Sequence, residues 1–160
     1  MSSWSQVRIF DACLEMDSRA VVRSEIENVR RELGFLTTLI AQRTGELDGT
    51  EIRAAALSLS TLYGGIERIM LEVLRDRSGV RPLGLNWHTQ LLEHARSTSL
   101  VTETTLDELK SFLAFRHFIR HAYSFEIDSK MIDQILDRAP ALVHEFIQQI
   151  ELGYLGSSHE

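Results

Sequence analysis

Arg116, His117, Arg120, His121 and Tyr123 lie within a stretch of eight residues, about two turns of an α-helix. Arginine beside histidine is a combination that can cleave an RNA strand without a metal. The 2′-hydroxyl must give up a proton before its oxygen attacks the adjacent phosphorus, and a neutral histidine accepts one near its ordinary pKa of about 6.5. An arginine can then neutralise the crowded phosphate, and a cationic donor aimed at the developing charge is worth about 3–4 kcal/mol in a dry site.

At about 100° per residue, Phe112, Phe115, Phe118, Ile119, Ala122 and Phe125 fill one arc of this helix. Arg116, His117, Arg120, His121 and Tyr123 share the opposite arc, giving an aromatic back and a cationic front. A polar face is commonly just a solvated one. Leu109 and Leu113, one and two turns upstream, project toward the cationic side, so that side is expected to be covered. A partner subunit is the natural cover, because apolar residues beside charges on a bundle surface often mark an interface. A competing reading takes His117 and His121, four residues apart, as a metal-ligand pair. Against it, the cluster holds no carboxylate or cysteine, and Arg116 and Arg120 would repel a divalent ion. No metal and no cofactor is therefore expected. His88, His94, His144 and His159 are scattered and are read as surface or structural residues rather than ligands.

Helices must position this segment, since apolar residues recur at helical spacing from about Ala20 onward and no stretch alternates as a strand would. A first helix is expected from Arg19 to Arg43, with Val22, Ile26, Val29, Leu33, Leu36 and Ile40 on one stripe. A second, Thr50 to Arg75, carries a broad apolar face interrupted by Gly64 and Gly65. Each glycine costs about 1 kcal/mol relative to alanine, which close approach of a neighbouring helix can offset. Residues 78–85 read as a loop, after which Asn86 caps a short helix through Arg96 anchored by Trp87. Thr105 and Glu108 form a capping box opening a helix through Tyr123. Asp128 caps the last helix, which runs to Leu152 and is closed by Gly153. The expected fold is all-α, an up-and-down bundle of four long helices plus a short one.

Composition narrows the function classes. The chain has 160 residues, 44% hydrophobic and 25% charged, with only two prolines, which suits one domain with a sizeable core. The single cysteine, Cys13, allows no intramolecular disulfide and no thiol-rich metal site. The first residues lack the basic start and apolar run of a secretory signal, so a soluble cytoplasmic protein is expected. A net charge of −6 argues against a surface that grips long nucleic acid, so any RNA contact must be local. Fifteen arginines stand against Lys110 and Lys130, and arginine is the better bidentate partner for phosphate.

The order Arg116, His121, Tyr123 matches the Arg-x-x-x-x-His-x-Tyr pattern of the HEPN superfamily and, within it, of the HepT toxins. Residues 63–69 (YGGIERI) resemble the second-helix motif of HepT-like ribonuclease toxins, residues 87–92 (WHTQLL) their short-helix motif, and residues 115–123 their signature. The resemblance covers about residues 20–150 and gives a division into an N-terminal extension (1–18), a HEPN-type helical domain (19–153) and a C-terminal tail (154–160). It implies a metal-independent endoribonuclease in which His121 is general base or acid and Arg116 binds and stabilises the phosphate, with His117 and Arg120 assisting. Glu67 would orient an arginine of the cluster or make an ordinary salt bridge. The resemblance further implies a homodimer with facing signature helices around an RNA cleft. It also implies an MntA-like nucleotidyltransferase antitoxin that transfers AMP from ATP to Tyr123. HEPN folds are not all nucleases, and a non-catalytic module binding a nucleotide or a partner protein is the alternative.

Overall fold

The computed structural model describes residues 17–123 and 126–156. The expectations for Phe125, His159, Cys13 and the extension before residue 17 lie outside the described residues. Among the described residues, five α-helices follow one another: α1 (Ser18–Gln42), α2 (Gly49–Ser78), α3 (Trp87–Ser97), α4 (Glu103–His121) and α5 (Ser129–Ile150). The last continues into a wider π-helical segment, Glu151–Leu155. No strand occurs among the described residues, and none of their helices is long and apolar enough to cross a membrane.

Local chemistry sets the helix ends. Asp17 caps α1, its side chain accepting from the Arg19 N–H at 3.0 Å. A capping box opens α2: Asp48 accepts from the Thr50 and Glu51 N–H groups, and the Glu51 carboxylate reaches back to the Asp48 N–H at 2.8 Å. These backbone donors hold the Asp48 carboxyl below the usual range. Gly79, at φ +66°, ends α2 in the left-handed conformation that glycine adopts without steric cost.

Several expected ends move. Asn86 occupies the N-cap position of α3 but makes no side-chain capping bond. The cap of α4 is Thr102 rather than Thr105: Thr102 has the extended backbone of a cap, and its hydroxyl accepts from the Thr105 N–H at 3.3 Å. Glu108 is instead drawn across to Arg138 on α5. Gly153 does not close the last helix. The chain winds on through it, so that Tyr154 is buried and Leu155 packs on the core, extending the packed body past residue 153. Pro140 sits inside α5, which removes one intrahelical bond. Nine buried residues, from Ile132 to Ile150, hold the helix in place.

Cross-links give the helix directions. On α1 and α2, Ser18 meets Arg75, Glu25 meets Arg68 and Glu32 meets Ser58, so the two run antiparallel. On α1 and α5, Arg43 meets Asp133 and Arg30 meets Glu151, again antiparallel. Helix α4 opposes α5 through Glu108–Arg138 and Thr105–Gln149. Helix α2 touches each of the other four. Gly64 and Gly65 do not break α2. A Cβ on Gly65 would come within 2.4 Å of the Val29 side chain, so Gly65 is where α1 and α2 approach closely.

The leucines expected to mark a subunit interface are in this bundle's own core. Leu109 is fully buried and Leu113 is 7% exposed, covered by the other helices against which α4 packs. The buried face of α4 runs through Leu106, Leu109 and Leu113 and ends on Arg116, at spacings of three and four residues. The aromatic back is displaced accordingly, since Phe112 and Phe115 are buried but Phe118 is 38% exposed.

Candidate active site

The site forms where the last two turns of α4 lie against the middle of α2 and the first turn of α3. Arg116 continues the leucine stripe inward, and its side chain is only 16% exposed. Its Nη2 stands 4.0 Å from Glu67 Oε2, an attraction of opposite charges at a separation too long for a hydrogen bond. Arg116 Nε and Nη1 are buried and have no hydrogen-bond partner among the described residues. Leaving a buried donor unmade costs about 1–3 kcal/mol, more for a charged group.

Glu67 is 2% exposed on the apolar face of α2, a turn from Tyr63 and from Met70. Its Oε1 meets His88 Nδ1 from the first turn of α3. Burial raises the Glu67 carboxyl above its ordinary range, opposed first by the His88 hydrogen bond and then by the charges of His88, Arg116 and Arg120. The Tyr63 hydroxyl is buried without a hydrogen-bond partner among the described residues, and burial together with the nearby Glu67 charge pushes its phenol pKa upward.

For His88 the structure decides between the surface and the structural reading. This histidine is 8% exposed, not a surface residue. Its ring lies on Trp87, centroids 3.7 Å apart, and meets the edge of His117 at 5.5 Å and 75°. The signal was present in the sequence: His88, Leu91, Leu92 and Ala95 are spaced i, i+3, i+4, i+7 and are the buried residues of α3. Position on the stripe, not residue type, placed this histidine inside.

His117, Arg120 and His121 are exposed on the outer turns of α4, and His121 is its last residue. Loss of solvation, followed by the charges of His88, Arg116, Arg120 and His121, lowers the His117 pKa, so its ring stays neutral to lower pH than usual. Tyr123, just past the helix end, is 70% exposed, and its N–H donates to Glu126 at 2.6 Å. The structure thus gathers Glu67, His88, Arg116, His117 and Arg120 around one locus with His121 close by, and Tyr123 lies just past the end of the same helix. No cluster of three or more His, Cys, Asp or Glu side chains suited to a metal ion occurs among the described residues.

An all-helical bundle whose fourth helix ends in this arginine–histidine cluster is a HEPN-type bundle. A family model described as HepT-like protein matches residues 54–152, which takes in all three motif segments and leaves α1 outside. The chain belongs to the HepT-like family, and is a HEPN toxin-type protein. No curated protein and no solved structure matches it.

Proposed function

We propose that this chain is the toxin of a toxin–antitoxin pair and works in the cytoplasm as a metal-independent endoribonuclease, its helical domain acting as a homodimer whose two α4 ends frame the RNA. The observation that carries the reading is Arg116, a guanidinium drawn below the surface toward Glu67 with donor groups that find no partner among the described residues. Unsatisfied buried donors are costly and are retained mainly where they do work.

In the proposed reaction, His121 takes the 2′-hydroxyl proton, the 2′-oxygen bonds to phosphorus, the bond from phosphorus to the 5′-oxygen breaks, and that oxygen receives a proton from solvent. The products are a 2′,3′-cyclic phosphate and a 5′-hydroxyl. Arg116 and Arg120 offset the charge that builds on the phosphate. His117, kept neutral by its surroundings, is available to accept or pass a proton. Regulation is by AMP transfer from an MntA-like nucleotidyltransferase antitoxin. The Tyr123 oxygen attacks the α-phosphate of ATP, pyrophosphate leaves, and the phenol proton is lost. The exposure of Tyr123 suits such a reaction, and the added phosphate would repel RNA from Arg116 and Arg120.

The test is cleavage of mixed cellular RNA by purified protein in excess EDTA, after intact mass has shown Tyr123 to be unmodified. Wild type is expected to cut and His121→Ala not to. Cleavage that survives in His121→Ala contradicts the assigned role. Inactive, unmodified wild type that binds a mononucleotide favours the non-catalytic module instead.

A further inference from the structure

We propose that His88 is a positioning residue of this site, anchoring one oxygen of Glu67 so that the other holds the Arg116 guanidinium in place by charge. The proposal rests on the ribonuclease reading above.

His88 comes from a different element than the signature residues and does not lie in the outer cationic cluster. Its ring is held from two sides, by Trp87 lying on it and by the edge contact with His117, so Nδ1 has a fixed direction. That atom faces Glu67 Oε1. Where Glu67 is ionised it only accepts hydrogen bonds, and His88 Nδ1 then supplies the hydrogen between them. Glu67 is thereby anchored through Oε1, and Oε2 is left 4.0 Å from Arg116 Nη2. Attraction persists at that distance, whereas a direct hydrogen bond would have occupied a guanidinium donor.

The groups facing Glu67 are Tyr63 on its own helix, His88 on α3, and Arg116 and Arg120 on α4. Burial favours the neutral carboxyl, and the His88 hydrogen bond is the largest influence working against it. Remove that bond and Glu67 tends to take up a proton, losing its hold on Arg116. A wrongly seated phosphate-binding group costs about 10²-fold in rate when reacting atoms move by as little as 1 Å.

The experiment compares His88→Asn, His88→Gln and His88→Phe by cleavage kinetics and by an NMR titration of the Glu67 side-chain carboxyl. The asparagine amide nitrogen is as many bonds from Cα as Nδ1, so it can donate from the same place. The glutamine nitrogen is one bond further out. His88→Asn is expected to keep kcat near wild type and the Glu67 titration in place. His88→Gln and His88→Phe are expected to lose about 10²-fold in kcat with little change in KM, and to move the Glu67 titration upward. Unchanged kcat and unchanged titration in His88→Phe would overturn the proposal. Should that variant fail to fold, the Asn and Gln variants decide, and equal behaviour of the two overturns it. Wild type that cuts no RNA sinks the ribonuclease reading itself. Wild type that cuts, with His88→Gln as its equal, sinks only the positioning role.

Discussion

Two buried phenols mark opposite ways of treating polar groups in this bundle. Tyr154, in the π-helical segment after α5, donates to Asp76 Oδ2 at 2.8 Å, with Arg19 and Arg77 lying over its ring at 5.4 and 5.6 Å. Tyr63, on α2 beside Glu67 and Arg116, is as deeply buried but its hydroxyl has no hydrogen-bond partner among the described residues. The first region is satisfied and serves packing. The second tolerates unsatisfied donors on both Tyr63 and Arg116, and it is the region that carries the arginine–histidine cluster. Polar groups are satisfied in one region and left without partners among the described residues in the other, the pattern expected where a site must keep groups in reserve.

The most forceful way to break this contrast is Arg116→Met, which keeps much of the side-chain bulk and removes the unsatisfied donors. Cleavage is expected to fall by about 10²–10³-fold, and loss of the charge opposite buried Glu67 is expected to lower the urea midpoint as well; cleavage near the wild-type rate would remove Arg116 from the chemistry. The two adjacent glycines sharpen the packing side. Gly65→Ala forces a methyl against the buried, stiff Val29 side chain and is expected to cost about 1–3 kcal/mol by denaturant unfolding. Gly64→Ala meets only ordinary contact and is expected to gain about 0.5–1 kcal/mol.

The phenols themselves give the next smaller effect. Tyr154→Phe loses a made hydrogen bond and is expected to cost about 1 kcal/mol, whereas Tyr63→Phe removes an unmade one and is expected to be neutral or stabilising. Equal losses in the two would erase the comparison. The smallest effect is one of pH. The folded His117 pKa lies below its ordinary value of about 6.5, so the folded state binds fewer protons there than the unfolded chain. Its contribution to stability is present above that ordinary value and is lost as pH falls through the folded one. The loss is expected to be slight because the ring is exposed, and His117→Gln should flatten unfolding midpoints measured between about pH 7 and pH 5.

Helix number and order were legible in the sequence because long apolar stripes at helical spacing leave little choice of fold. What polarity alone could not show was how α4 is turned. Arginine was read as an outward residue, which put Leu109 and Leu113 on an exposed side. In the fold those leucines and Arg116 form one inward stripe, because Glu67 supplies a buried counter-charge from another helix. For His88 the sequence reading left a surface and a structural place open, and its position on the stripe of α3 decides for the structural one. Contacts between elements decide how α4 is turned, and a single sequence does not contain them.

The most direct test of the central claim is the chemistry of the RNA ends made by wild-type protein in excess EDTA, with Tyr123 verified as unmodified. Attack by the 2′-oxygen leaves 2′,3′-cyclic phosphate and 5′-hydroxyl ends, and these are the ends expected. Ends bearing 5′-phosphate and 3′-hydroxyl would mean that water, not the 2′-oxygen, attacks phosphorus, and would contradict the roles assigned to Arg116 and His121.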